Sequence, residues 1–79
     1  MKFFIISKEQ TIEHEVVWVE ANTPIGNFVI QPDHAPLVLL LSEQRECLYC
    51  LPTGKQEAFI LERGGLLRIT PQEITALVY

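Results

Sequence analysis

Seventy-nine residues with ten acidic and six basic side chains carry a formal net charge of −4. That balance excludes nucleic acid as a partner, because phosphate binding draws on clustered Lys and Arg, and Lys2, Lys8, Arg45, Lys55, Arg63 and Arg68 are scattered. Hydrophobic residues are 48% and charged residues 20% of the chain, which excludes disorder and predicts one small domain, residues 1–79, with some apolar surface left over for an interface.

Taken in order, the chain alternates short β-rich runs with turn signals and holds helical periodicity nowhere for long. The opening apolar run is cut by Ser7-Lys8-Glu9-Gln10. It is too short for a secretory core of roughly seven residues or a spanning helix of about twenty. The sequence therefore reads as soluble and cytosolic, without direct membrane insertion, any membrane association going through another protein. Phe3–Ser7 is predicted as the first strand. Ile12–Ala21 reads as one longer strand bent near Glu13-His14-Glu15, with Val17, Val19 and Ala21 on one face and Val16, Trp18 and Glu20 on the other. Asn22–Asn27, containing Pro24 and Gly26, is a turn cluster, and Phe28–Ile30 a short strand.

Ile30-Gln31-Pro32-Asp33-His34-Ala35-Pro36 then forms a rigid corner. Its two prolines each fix φ near −65° and remove a donor, so neither a helix nor a central strand runs through it. Asp33 and His34 suit a tight turn. The corner feeds Leu37–Leu41, five apolar residues that predict a strand buried on both faces; low β-branched content leaves Pro36–Gln44 the one segment with a helical alternative. Cys47–Leu51 and Ala58–Glu62 are strands joined through Pro52-Thr53-Gly54-Lys55. Arg63-Gly64-Gly65 turns into Leu66–Thr70, and Pro71-Gln72-Glu73 leads to Ile74–Tyr79. The spacing predicts an all-β fold, a small flattened β-sandwich of short antiparallel strands.

No constellation for bond chemistry assembles along this chain, which predicts no catalytic residue, no metal and no cofactor. Cys47-Leu48-Tyr49-Cys50 lacks the second ligand pair of a zinc site and the helix N-terminus of a redox motif. Three residues apart on a strand, the two thiols point to opposite faces, as small buried hydrophobes do. His34 is expected to bond a backbone carbonyl at the corner. Glu13 and Glu15 share a solvated face on either side of His14. Gly64-Gly65 is a turn requiring positive φ rather than a phosphate loop, since no helix follows. Trp18 is either a core ring or an exposed interface anchor.

Two segments together carry a resemblance. Gly26-Asn27-Phe28-Val29-Ile30-Gln31-Pro32-Asp33-His34-Ala35-Pro36-Leu37 resembles the G-x-x-G-I-x-P-x-H-A-P-L signature of the epsilon subunit of F-type ATP synthases. Ala58-Phe59-Ile60-Leu61-Glu62-Arg63-Gly64-Gly65-Leu66-Leu67-Arg68-Ile69 resembles that family's F-x-x-x-x-G-G-x-L-x-V hairpin. The resemblance implies a non-catalytic rotor part of a proton-translocating, bacterial ATP synthase, clasping the gamma subunit and resting on the c-ring at the cytoplasmic face of the inner membrane. By position it implies a gamma-facing set of Asp33, His34, Pro36, Val38 and Trp18, and a c-ring-facing turn of Pro24, Ile25, Gly26 and Asn27. Val29, Ile25 and Trp18 depart from the family's usual glycine, acidic and charged residues. The 79 residues stop where the family's C-terminal helical hairpin would follow, so no nucleotide-sensing or inhibitory role is implied for them. The residues by themselves also fit a freestanding β-sandwich adaptor, or a small cysteine-dependent redox or metal protein.

Overall fold

In the computed structural model, which describes residues 1–79, the apolar runs become nine strands and no helix. They are β1 (Lys2–Ile6), β2 (Thr11–Glu15), β3 (Trp18–Thr23), β4 (Gly26–Ile30), β5 (Leu37–Leu41), β6 (Arg45–Cys50), β7 (Gln56–Leu61), β8 (Gly65–Ile69) and β9 (Glu73–Val78). Two sheets result, one of five strands in the order β2-β1-β9-β8-β5 and one of four in the order β4-β3-β6-β7. All pairings are antiparallel except β1 with β9, which run parallel in the middle of the larger sheet. The β-sandwich expectation is met, with that one parallel ladder added.

Alternation along each strand builds the core. Phe3, Leu39, Leu41, Leu67, Ile69, Ile74 and Ala76 point inward from the five-stranded sheet, and Val19, Ala21, Ile30, Cys47, Tyr49 and Leu61 from the four-stranded one. Phe3, Ile30, Leu61, Leu67, Ile69 and Ile74 are fully buried, each contributing roughly 1.5–3 kcal/mol of transfer free energy. No buried side-chain polar atom lacks a partner.

The chain passes between sheets at β2–β3, β4–β5, β5–β6 and β7–β8, and these crossings correct three expectations. Ile12–Ala21 is not one strand. The Val16 N–H donates to the Met1 carbonyl of one sheet at 2.9 Å, and the next N–H, Val17, donates to Cys50 of the other at 2.7 Å. Neighbouring residues thus bond to opposite layers, and the alternation skips a beat: Val16 is buried and Val17 is 45% exposed, the reverse of a continuous strand.

Leu37–Leu41 is not buried on both faces. β5 is an edge strand covered on one side, so Leu39 and Leu41 are core while Val38 and Leu40 are 58% and 60% exposed. Arg63-Gly64-Gly65 is not a hairpin turn, because β7 and β8 belong to different sheets. Gly64 has φ of 76°, and a Cβ there would sit 2.6 Å from the Leu41 carbonyl oxygen, which leaves room only for glycine. Gly65 passes so close to the Leu77 carbonyl that any side chain would overlap it.

The proline corner is the β4–β5 crossing. Asp33 takes φ of 66°, a left-handed conformation that Asp tolerates better than most residues. Its N–H donates to the Pro71 carbonyl at 3.2 Å, tying the corner to the β8–β9 turn.

Candidate interaction surface

No group of three or more His, Cys, Asp or Glu side chains converges anywhere in the fold. The two cysteines are free and face apart. Cys47 lies in the inward row with Tyr49, and burial, helped by the nearby Glu20 carboxylate, pushes its thiol up to about 12. Cys50 lies on the other side of β6, opposite Trp18 in the β3 register, with its Sγ 3.5 Å from the Leu51 carbonyl. A thiol held neutral by burial is a poor nucleophile and a poor metal ligand. His14 turns inward, its Nε2 3.1 Å from the Tyr49 hydroxyl, while Glu13 and Glu15 face solvent.

What the fold does present is surface. The strand registers align Leu40, Leu66, Leu77 and Ile6 in one row across the outer face of the five-stranded sheet. Val38, Arg68, Thr75 and Phe4 form the adjoining row. Leu40 is 60% and Leu77 39% exposed, with Leu66 and Ile6 half-buried. The result is an apolar band four strands wide, interrupted by Arg68 and bordered on β2 by Thr11 and Glu13.

The β3–β4 turn stands beside this band. The Thr23 hydroxyl donates to the Gly26 carbonyl at 2.8 Å and accepts from the Ile25 N–H at 3.2 Å, which fixes the turn and leaves Ile25 82% exposed. Thr23, Pro24, Ile25, Leu39 and Leu40 enclose a small apolar pocket of about 150 Å³ between the turn and β5. Asn27 bonds Glu20 and Asn22, each at 3.2 Å, so the far side of the turn is polar.

These placements sort the residues singled out from sequence. Pro24, Ile25, Gly26 and Asn27 share one turn. Asp33 and Pro36 are exposed on the corner, where the His34 Nδ1–H donates to the Ala35 carbonyl at 2.9 Å, and Val38 follows on the outer face of β5. Trp18 is half-buried on the outer face of the four-stranded sheet, on the opposite side of the sandwich from Val38. Leu40, Leu66 and Leu77 were not singled out. Their shared row depends on strand order, and the only sequence signal was surplus apolar content.

Residues 1–79 match the sequence profile described as "ATP synthase, Delta/Epsilon chain, beta-sandwich domain". The chain is 36% identical over 74 residues to an ATP synthase epsilon chain of Xylella fastidiosa, covering 92% of this chain and 51% of that protein. The same identity, length and coverage hold for an ATP synthase epsilon chain of Stenotrophomonas maltophilia. The chain thus spans about half the length of the curated relatives it matches. In three dimensions it superposes on a chain of a Euglena gracilis mitochondrial ATP synthase structure (OSCP/F1/c-ring) with a TM-score of 0.87. That likeness, at 14% identity over 96% of this chain and 48% of the other, is one of fold.

Proposed function

The chain belongs to the ATP synthase delta/epsilon-chain β-sandwich family, and from that premise we propose that it is a non-catalytic central-stalk subunit of a proton-translocating ATP synthase. It binds the gamma subunit and touches the c-ring, so that rotation passes between them. The supporting observation is the apolar band on the outer face of the five-stranded sheet, solvent-exposed surface on a chain whose charge is otherwise well distributed.

Gamma takes the side formed by Asp33, His34, Pro36 and Val38 together with the Leu40–Leu66–Leu77 row. Apolar anchors with a polar rim are what a durable protein contact needs. Trp18 is a second gamma contact for a partner that clasps both faces of the sandwich. The Pro24–Asn27 turn meets the c-ring. A turn offers modest area, which suits a contact that rests on a ring rather than grips it. No helix is long and apolar enough to cross a membrane. As part of the ATP synthase complex, the subunit sits at the cytoplasmic face of the inner membrane.

Co-expression with the gamma subunit of the same genome tests this directly. A one-to-one complex is expected, with Leu77→Lys lowering its affinity more than about tenfold, or about 1.4 kcal/mol, while the melting curve is unchanged. Absence of a complex, or a complex indifferent to that substitution, would favour a freestanding adaptor.

A further inference from the structure

Two cations stand on the outer face of the five-stranded sheet, Lys2 and Arg68. The carboxylates of that face gather at the first. Lys2 lies opposite Glu15 in the β2 register and Glu73 in the β9 register, and its Nζ is 3.9 Å from Glu13. Arg68 has none. Its neighbours across β5 and β9 are Val38 and Thr75, Leu66 precedes it on the same face of β8, and no ion pair of the molecule includes it.

While the face is wet this isolation is harmless, because Arg68 is exposed and water solvates its guanidinium. Covering the apolar band changes that. A partner that buries Leu40, Leu66 and Leu77 also covers Arg68, which stands in the adjoining row between Val38 and Thr75. A charge taken out of water without a partner is expensive. The sheet itself offers no acceptor in compensation: β8 is an interior strand, its carbonyls engaged by the ladders with β5 and β9. The missing acceptor must come from whatever covers the band. Arginine is the charged residue that interfaces favour, and its planar fork fits a carboxylate through two parallel hydrogen bonds.

Resting on the assignment of this face to the gamma subunit, we propose that Arg68 decides which segment the face accepts. The part of gamma that covers the Leu40–Leu66–Leu77 row carries an Asp or Glu, and that carboxylate meets the Arg68 guanidinium. An equally apolar segment lacking the acid is rejected, since it would leave the cation buried and unpaired. The band supplies area, and Arg68 supplies the choice of partner and its register.

Titration of the gamma subunit of the same genome with the 79-residue chain tests this. Arg68→Gln should weaken the complex at least about thirtyfold, as losing one member of a buried charge pair does. Arg68→Glu, which sets two carboxylates together, should weaken it further. Arg45→Glu, the same change of charge on an exposed residue of the four-stranded sheet, should leave the affinity unchanged. Melting curves should not move, because the Arg68 guanidinium pairs with no carboxylate in the fold; should Arg68→Glu fail to fold, the isosteric Arg68→Gln decides. Full affinity in Arg68→Gln would overturn the carboxylate while leaving gamma as the partner. Absence of any complex with the unaltered chain would remove gamma itself, and the proposal with it. Equal loss in Arg45→Glu would reduce the effect to net charge, and dimerisation of the chain alone through this face would make a second copy its occupant; either result overturns the proposal.

Discussion

The Tyr49 hydroxyl on β6 meets Nε2 of His14 on β2 at 3.1 Å, with the two rings 4.8 Å apart, so one side-chain pair joins the sheets at the rim where β2 has no further neighbour. Tyr49 also packs edge-on against Phe3, ring centroids 5.4 Å apart. The hydroxyl and the ring therefore contribute separately. Tyr49→Phe should lower the unfolding free energy by about 1 kcal/mol, the net worth of one hydrogen bond. Tyr49→Ala should cost about 3–5 kcal/mol through the lost aromatic packing. Urea denaturation of the two variants distinguishes them, and equal losses would place the whole contribution in the hydroxyl.

Stability should fall in alkali. An unfolded thiol ionises near 9.0, whereas folded Cys47 holds its proton to about 12 because it is buried and, secondarily, because the Glu20 carboxylate is nearby. Between those values the unfolded chain binds fewer protons than the folded one, so unfolding becomes easier as pH rises, by up to about 1.4 kcal/mol per pH unit for one group. Tyr49, raised above its ordinary 10.0 by burial, then by Glu57 and Cys47, steepens the fall further up. Urea midpoints measured across this range should show a shallower limb in Cys47→Ala, most clearly between pH 9 and 10. Identical limbs would mean that the thiol is not the source.

Gly65→Ala should be strongly destabilising. The added carbon would overlap the Leu77 carbonyl in the β8–β9 ladder, and backbone on both sides has little freedom to yield. Overpacking of this kind costs about 1–3 kcal/mol. By contrast Gly54→Ala meets nothing within 4 Å and bears only the strain of φ at 93°. Thermal melts of the two variants should rank them in that order.

Trp18 and Val38 leave the sandwich on opposite sides, which lets binding measurements tell a one-sided grip from a clasp. With gamma bound to the five-stranded face alone, Val38→Lys should weaken the complex more than about tenfold and Trp18→Ala should leave it unchanged. A clasp predicts that both weaken it, with Trp18→Ala costing about 2 kcal/mol or more. Titration of each variant with gamma reads the difference.

Strand existence was legible wherever proline, glycine or a polar cluster punctuated an apolar run, as at Pro52–Lys55 and Pro71–Glu73. The divergence of the Cys47 and Cys50 thiols followed from strand periodicity, and the carbonyl bond of His34 from its place in a corner. The break at Val16–Val17 was not legible. Two β-branched residues give no turn signal, and what splits the strand is hydrogen bonding to carbonyls far along the chain. Five consecutive Leu and Val residues likewise hide which of them faces water, because nothing polar marks the outward positions. The Pro24–Asn27 turn could be read as one surface because its members are contiguous. The division of Trp18 from Val38, and the union of Leu40 with Leu66 and Leu77, needed the order of strands in two sheets.

The parallel ladder between β1 and β9 has a consequence for biosynthesis. β9, with Ile74 and Ala76 fully enclosed, lies between the first strand made and β8. Until it leaves the ribosome the larger sheet is two fragments, β2-β1 and β8-β5, each with a raw edge. Native structure in this sandwich therefore waits on its latest-emerging strand, and contacts of such long sequence separation make slow folders. A nascent chain lacking β9 therefore leaves open the strand edges of β1 and β8 that the finished sheet pairs.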